Sequence, residues 1–288
     1  MILVTGATGQ VGGQLAAQAA SSGLPVRALV RDSAKGGRLP TGVTPVVGDL
    51  SRPDGLAQAL DGVESVFLVW PMLPGHAAQD LVKALAAGGV RRVVYLSSQG
   101  VAGGTRSPII DGHREMERLV AGAFAQWTAV RPTGFARNAL GWAEQVRSRG
   151  EVRAPFATMA RPLIHEADIA AVGLLALAGP DLIGQTPVLT GPALVSVAEQ
   201  VAAIGAALGR PVPLVELTER EALDDFTAQG WDPDLARSIL AAWSAMRTAP
   251  EPVTDEVRRI TGRPALPFAQ WARDHAADFG GPAPAATG

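Results

Sequence analysis

The sequence predicts an α/β fold, a doubly wound parallel sheet followed by a smaller, mostly helical lobe. Three observations carry that reading. Short β-branched runs alternate with Ala- and Leu-rich stretches of helical period through the first half of the chain. A glycine-rich turn, Gly6-Ala7-Thr8-Gly9-Gln10-Val11-Gly12, separates the first run from the first helical stretch. After about residue 150 the rhythm loosens, punctuated by Pro155, Pro162, Pro180, Pro187 and Pro192.

Residues 2–4, 26–30, 44–47, 65–69, 92–96 and 127–130 read as strands. Helical patterns lie between them, near 11–22, 54–61, 76–88, 113–122 and 136–148. Near-continuous apolar strands separated by helices indicate a parallel sheet covered on both faces. Right-handed crossovers then give the doubly wound arrangement. Residues 1–150 are thus expected to form a nucleotide-binding domain of Rossmann type. Residues 151–279 are expected to form a substrate lobe on the sheet edge, with helices at 166–178, 195–208, 219–229, 233–246 and 267–278. Extended pieces are expected at 186–190 and 212–217, and the Gly-, Pro- and Ala-rich end, 280–288, reads as a disordered tail.

Composition narrows the function classes. At 47% apolar residues the chain is too hydrophobic to be disordered. A net charge of −2 argues against a broad nucleic-acid-binding field. The absence of cysteine excludes disulfides, thiolate metal sites and a cysteine nucleophile. No pair among the 4 histidines has metal-ligand spacing, so no metal is expected. No G-x-S-x-G elbow is present, which weighs against a serine hydrolase. The stretch 167–179 is too short to span a bilayer and contains Asp168, and the N-terminus lacks a signal-peptide pattern. A soluble, cytoplasmic protein is the expectation, and a homodimer is compatible with it.

The glycine turn carries the most specific chemistry. Gly6 permits a tight turn, Gly9 admits a pyrophosphate to the backbone, and Gly12 lets the helix pack against the sheet. Thr8, Gln10 and Val11 complete a loop whose amides and helix N-terminus suit phosphate. The second strand ends in Arg31, where an NAD-specific site usually carries an acid for the ribose hydroxyl. A guanidinium there can fork onto a 2′-phosphate, assisted by Ser33, Lys35 or Arg38. NADP(H) is therefore favoured over NAD(H), with Asp32 keeping NAD(H) open. Asp49 and Leu50, after the third strand, are candidates for the adenine, and an Asx turn is the equal alternative for Asp49.

Ligands of such folds lie beyond the carboxyl ends of the strands. That edge places Trp70, Ser97 and Pro132 along the cofactor, and Trp70, Met72, Gln99 and Phe135 toward a flat, hydrophobic or aromatic substrate. Core packing is the competing reading for Trp70, Met72 and Phe135. The stretch 100–107 is glycine-rich enough for a lid or a loose loop. The 6 tryptophans include Trp231, Trp243 and Trp271, expected to staple the C-terminal lobe.

Taken in order, several segments resemble the NmrA-like branch of the atypical short-chain dehydrogenases. They are Val4-Thr5-Gly6-Ala7-Thr8-Gly9, Ala28-Leu29-Val30-Arg31-Asp32, Gly48-Asp49-Leu50, Val66-Phe67-Leu68-Val69 and Leu96-Ser97-Ser98. His113 with Glu117, Trp127-Thr128-Ala129-Val130-Arg131-Pro132, Asp168-Ile169-Ala170, and Gly262-Arg263-Pro264 ahead of Phe268 and Trp271 continue the likeness. The resemblance implies quinone and azo-dye reductases, biosynthetic reductases, or redox-sensing regulators.

The usual short-chain dehydrogenase protonates its substrate with a Tyr-x-x-x-Lys pair. Here the 1 tyrosine, Tyr95, lies inside a predicted strand, and no lysine follows Lys83. Aligning His113-x-x-x-Glu117 on the usual Lys-x-x-x-Glu puts His113 at the lysine position and Ile109 at the tyrosine position. Ser98 and His113 remain as candidate polarising groups or proton donors, with a plain i,i+4 pairing to Glu117 as the alternative for His113. The leading expectation is an NADPH-dependent reductase of a quinone or an aromatic, polyketide-type ketone. A non-catalytic NADP(H)-sensing regulator with a protein partner, and a redox-neutral isomerase or cyclase, are the alternatives.

Overall fold

The computed structural model describes residues 1–32, 39–71, 76–104 and 107–281. The first half runs β1 (Ile2–Val4), α1 (Gln10–Ser21), β2 (Val26–Val30), β3 (Val43–Val47), α2 (Ala57–Leu60) and β4 (Ser65–Leu68). It continues through α3 (Ala77–Ala87), β5 (Arg92–Leu96), α4 (Gln99–Ala102), α5 (Pro108–Ala123) and β6 (Gln126–Pro132). After α6 (Ala143–Arg149), β7 (Val152–Pro155) and β8 (Ala160–Arg161) come α7 (Glu166–Ala178) and β9 (Val188–Leu189). The chain ends with β10 (Val195–Ser196), α8 (Val197–Ala207), β11 (Leu214–Leu217), α9 (Glu219–Ala228), α10 (Pro233–Met246), α11 (Glu256–Thr261) and α12 (Phe268–Asp274).

Two compact units form. The first holds residues 1–133, 166–189 and 256–264, and the second holds the rest. A parallel sheet of order β3-β2-β1-β4-β5-β6-β9 organises the first unit. The reversal of strand order between β1 and β4 is the switch point at which such sheets bind ligands. Central strands are apolar because both faces are covered; every residue of β1 is buried. Pro45 is tolerated in β3 because that strand is at the sheet edge and, among the described residues, pairs only with β2.

The units do not follow a single cut near residue 150. Helix α7 lies in the first unit, where Gln18 Nε2 donates to the Ala167 carbonyl at 3.0 Å. A Cβ added at Gly173 would sit 2.8 Å from Phe67 and 2.9 Å from Leu15, so glycine lets α7 pack closely on the sheet. Strand β9 then adds a seventh, parallel strand beside β6. Two-residue strands such as β8 and β10 have no period to read.

Helix α5 begins five residues earlier than the apolar pattern predicts. Ser107 caps it by accepting from Ile110 N, and Pro108 occupies the first turn, where its missing N–H costs nothing. His113 is therefore in the second turn rather than at the helix start.

In the second unit β7 pairs with β11 in parallel and β8 with β10 antiparallel. Val146, Val152, Ile204 and Trp271 form its core with Phe268 and Phe279. Trp271 is fully buried and Trp243 packs against that core, whereas Trp231 stacks on Phe226 and stays 42% exposed. His165 and His275, isolated in sequence, lie 6.5 Å apart here, and each meets a carboxylate, Asp274 and Asp278. Capping boxes start α8 (Ser196 with Glu199) and α9 (Thr218 with Glu221). Ser196→Ala and Thr218→Ala are each expected to cost about 1 kcal/mol in urea unfolding, and Thr218→Ser to cost almost nothing. Equal stability of the alanine variants and the wild type would show that the caps contribute nothing.

Candidate active site

The glycine turn is held by Thr5. Its buried hydroxyl accepts from Val69 N at 2.7 Å, and its backbone N–H donates to the Phe67 carbonyl, tying the end of β1 to the end of β4. Gly6 turns the chain at φ +65°, a conformation that side chains resist. Gly9 N donates to the Gly6 carbonyl at 2.8 Å and closes the turn. A Cβ at Gly12 would lie 2.4 Å from the Gly6 oxygen, so only glycine lets α1 start here. Gly9 caps α1 without any side-chain hydrogen bond, and the first turn of this 12-residue helix carries no acid. Its unpaired amide donors and positive dipole end fit a dinucleotide pyrophosphate. Gly6, Thr8, Gly9 and Gln10 are exposed, whereas the Val11 side chain is buried in the core. Only the backbone of Val11 is suited to a phosphate.

Arg31 is exposed just beyond β2. Ser33, Lys35 and Arg38 lie outside the described residues. Asp49 makes an Asx turn, accepting from Ser51 N at 2.9 Å. Those Ser51 hydrogen bonds hold its carboxyl below the usual range, with the nearby charges of Arg31 and Arg52 adding to the effect. Leu50 is half-buried beside it.

At the carboxyl end of β5 two polar pairs meet α5. Ser97 is buried and donates through Oγ to Glu117, which also receives a forked pair from Arg131 of β6, at 2.9 and 2.5 Å. Tyr95, also fully buried, places its phenol oxygen 2.6 Å from His113 Nδ1. Tyr95 is thus the hydrogen-bond partner of His113, while Glu117 is taken up by Ser97 and Arg131. Burial pushes the Tyr95 phenol well above its ordinary value, and the Glu117 carboxylate adds to it. Burial also lowers the His113 pKa below the ordinary 6.5, with Glu117 acting in the opposite sense.

Ser98 is half-buried, and its Oγ accepts from Gly100 N as the cap of α4, whose first residue is Gln99. Trp70 is 6% exposed and packs in the core with Leu68, Leu81 and Tyr95, so its indole acts as packing. Its breadth of apolar surface accounts for that burial. Pro132 is buried at the end of β6. Phe135 belongs to the second unit, where it bridges to Ile164. Met72 lies outside the described residues, as do Thr105 and Arg106 of the glycine-rich stretch. Among the described residues no helix is long and apolar enough to cross a membrane, and no group of three or more His, Asp or Glu is placed to hold a metal.

Sequence reasoning did not assign Thr5, Arg131 or the Tyr95–His113 contact. A signal for the last of these was present: Tyr95 in β5 and Ser97 just past its end, two apart, share a face, and so do His113 and Glu117, four apart on a helix.

The switch-point sheet and the glycine cradle define a Rossmann-type dinucleotide-binding protein. The chain belongs to the NAD(P)H-binding family, whose model matches residues 6–180, and within it to the NmrA-like atypical short-chain dehydrogenases. It is 37% identical over 289 residues to an NAD(P)H azoreductase of Xenophilus azovorans, covering 97% of this chain and 99% of that one. It is also 37% identical over 281 residues to a (4-alkanoyl-5-oxo-2,5-dihydrofuran-3-yl)methyl phosphate reductase of Streptomyces griseus, covering 97% and 99%. An NADPH-dependent quinone oxidoreductase of Escherichia coli, solved with NADPH, has the same fold at TM-score 0.77 and 23% identity, covering 94% of this chain and 98% of that one. The chain is an NAD(P)H-dependent reductase with a nicotinamide dinucleotide as cofactor.

Proposed function

We propose that this reductase uses NADPH to reduce a flat, conjugated acceptor, a quinone or an aromatic, polyketide-type ketone, without a Tyr-Lys dyad. One observation carries the reading. The single tyrosine is locked in the core against His113, so no phenol is available to protonate a substrate. An acceptor that becomes a stabilised anion on reduction suits such a site. Gly6, Thr8, Gly9, Gln10, Gly12 and the Val11 backbone hold the pyrophosphate, and Asp49 and Leu50 border the adenine. Ser97 and Pro132 flank the nicotinamide end, with Trp70 behind them as packing. When bound, the cofactor supplies a hydride. The acceptor's electron pair then rests on oxygen, polarised by His113 or by the Ser98 hydroxyl, and water delivers the proton. Gln99, at the start of α4 beyond β5, borders the acceptor. The azo and furanone substrates in the names of the relatives are conjugated acceptors of the same general kind.

The test follows absorbance at 340 nm with NADPH and a panel of naphthoquinones, an azo dye and an unconjugated ketone. Turnover of the conjugated acceptors alone is expected, and turnover of the unconjugated ketone alone would overturn the reading. His113→Ala is expected to lower kcat about 10- to 100-fold, on the scale of one lost donor to a developing oxyanion. For the cofactor, Arg31 is the group that meets the 2′-phosphate. Arg31→Ser is expected to weaken NADPH binding about tenfold while leaving NADH unchanged, since one charge-assisted pair is lost. Equal losses for both would remove Arg31 from that role.

A further inference from the structure

We infer that Tyr95 is a positioning residue which fixes His113 as the tautomer with its proton on Nε2, so that a neutral imidazole presents a hydrogen-bond donor to the reacting oxygen. The assignment rests on the site proposed above, and its physical basis is local.

The Tyr95 side chain is fully buried, and its phenol oxygen has one hydrogen-bond partner among the described residues, His113 Nδ1 at 2.6 Å. A buried hydroxyl left without an acceptor costs the desolvation of its proton. If Nδ1 carried hydrogen, both groups would offer protons to one another, and the phenol proton would have no acceptor. Tyr95 therefore donates, Nδ1 accepts, and the ring proton resides on Nε2. Nε2 is on the edge of the ring away from the phenol. His113 as a whole is only half-buried.

His113 sits one helical turn before Glu117, which holds Ser97 at the carboxyl end of β5. The donor is thus at the strand end where the fold binds its ligands. Among the described residues the titratable groups acting on it are Tyr95 from β5 and Glu117 on its own helix, and the Glu117 charge is offset by Arg131 of β6, forked onto it. Protonation of His113 would place hydrogen on Nδ1 against the phenol. The hydrogen bond from Tyr95 therefore favours the neutral ring, in the same direction as burial.

The arrangement also limits the chemistry. A relay that passed a proton from Tyr95 through the ring would leave a phenolate in the core, which burial disfavours. His113 therefore polarises the acceptor oxygen and keeps its proton. The π pair displaced from the acceptor's carbonyl as hydride adds stays on that oxygen until water protonates it. Acceptors whose reduced form is a poor base are selected, which deepens the substrate class to quinone-like and vinylogous carbonyls over simple ketones.

The experiment combines nitrogen NMR with a double-mutant cycle on the full chain. With 4 histidines, ¹⁵N–¹H multiple-bond spectra resolve each ring. The wild type is expected to show His113 protonated on Nε2 alone, and Tyr95→Phe a mixture of tautomers with an acid-limb pKa moved up toward the ordinary histidine value. Tyr95→Phe is expected to lower kcat with naphthoquinone about five- to tenfold, the loss of one hydrogen bond, with NADPH affinity retained. His113→Gln, whose amide places a donor near the Nε2 position with no tautomer to set, is expected to show no further loss when Tyr95→Phe is added. An Nδ1–H ring in the wild type, or additive losses in the double variant, would overturn the role of Tyr95. Full activity in both His113→Gln and His113→Ala, with the Nε2–H tautomer still seen, would instead overturn the catalytic reading of His113 alone.

Discussion

Gly12→Val is expected to abolish measurable NADPH binding. The Cβ added there would lie 2.4 Å from the Gly6 carbonyl oxygen and 2.9 Å from that of Thr5, both backbone atoms that cannot turn aside. The branched methyls must push the start of α1 away from β1, which breaks the contact between Gly9 and Gly6 and tilts the amide cradle. Overpacking of this kind costs about 1–3 kcal/mol in stability. The effect on binding is larger, because displaced donors no longer converge on the pyrophosphate; a loss of at least about 100-fold, or ~3 kcal/mol, is the expectation. Fluorescence titration with NADPH reads it directly. Gly122→Ala, where nothing lies within 4 Å of the added Cβ, is the control and should bind as the wild type does. Wild-type affinity in Gly12→Val would show that the pyrophosphate is held elsewhere.

The second large effect concerns the ion pair behind the site. Glu117 and Arg131 have side chains only 10% and 17% exposed, with two hydrogen bonds between them and a third from Ser97. Glu117→Leu leaves the Arg131 guanidinium partly buried without its carboxylate and Ser97 without an acceptor. A destabilisation of about 3–5 kcal/mol is expected, because an uncompensated buried charge remains. Glu117→Leu combined with Arg131→Met is expected to recover most of that loss, since a well-packed apolar pair replaces the ions. Thermal unfolding of the three proteins decides it. A double variant as unstable as the single one would show that the pair does more than satisfy itself.

Much of this was legible in the residues. The strands of the first unit lie within a residue or two of their predicted positions, because a buried parallel strand is a continuous apolar run. The glycine turn was legible because its spacing answers to backbone contact, which no side chain can supply. The start of α5 was misplaced by five residues, since the apolar period begins late while Ser107 and Pro108 mark the true cap. Helix α7 reads as the first helix after the loosened rhythm, yet it completes the first unit; its assignment depends on Gly173 meeting Phe67, a contact between residues far apart in the chain. For Trp70, placed after β4, the sequence left a pocket wall and core packing both open. Its indole packs inward, and the facing of one side chain at a strand end has no period to reveal it.

For the site, the sequence alone determined the glycine turn and that its one tyrosine has no lysine four residues on, because both are statements about which residue types occur at which spacing. It also put His113 and Glu117 on one helix face and Tyr95 inside a strand. Only the tertiary structure decided the partners: Tyr95 with His113, and Ser97 and Arg131 with Glu117. Helix and strand periods specify faces, but they leave open which face meets which. That choice is made by the packing of α5 on the sheet, where two buried acceptors and their donors must all be satisfied together.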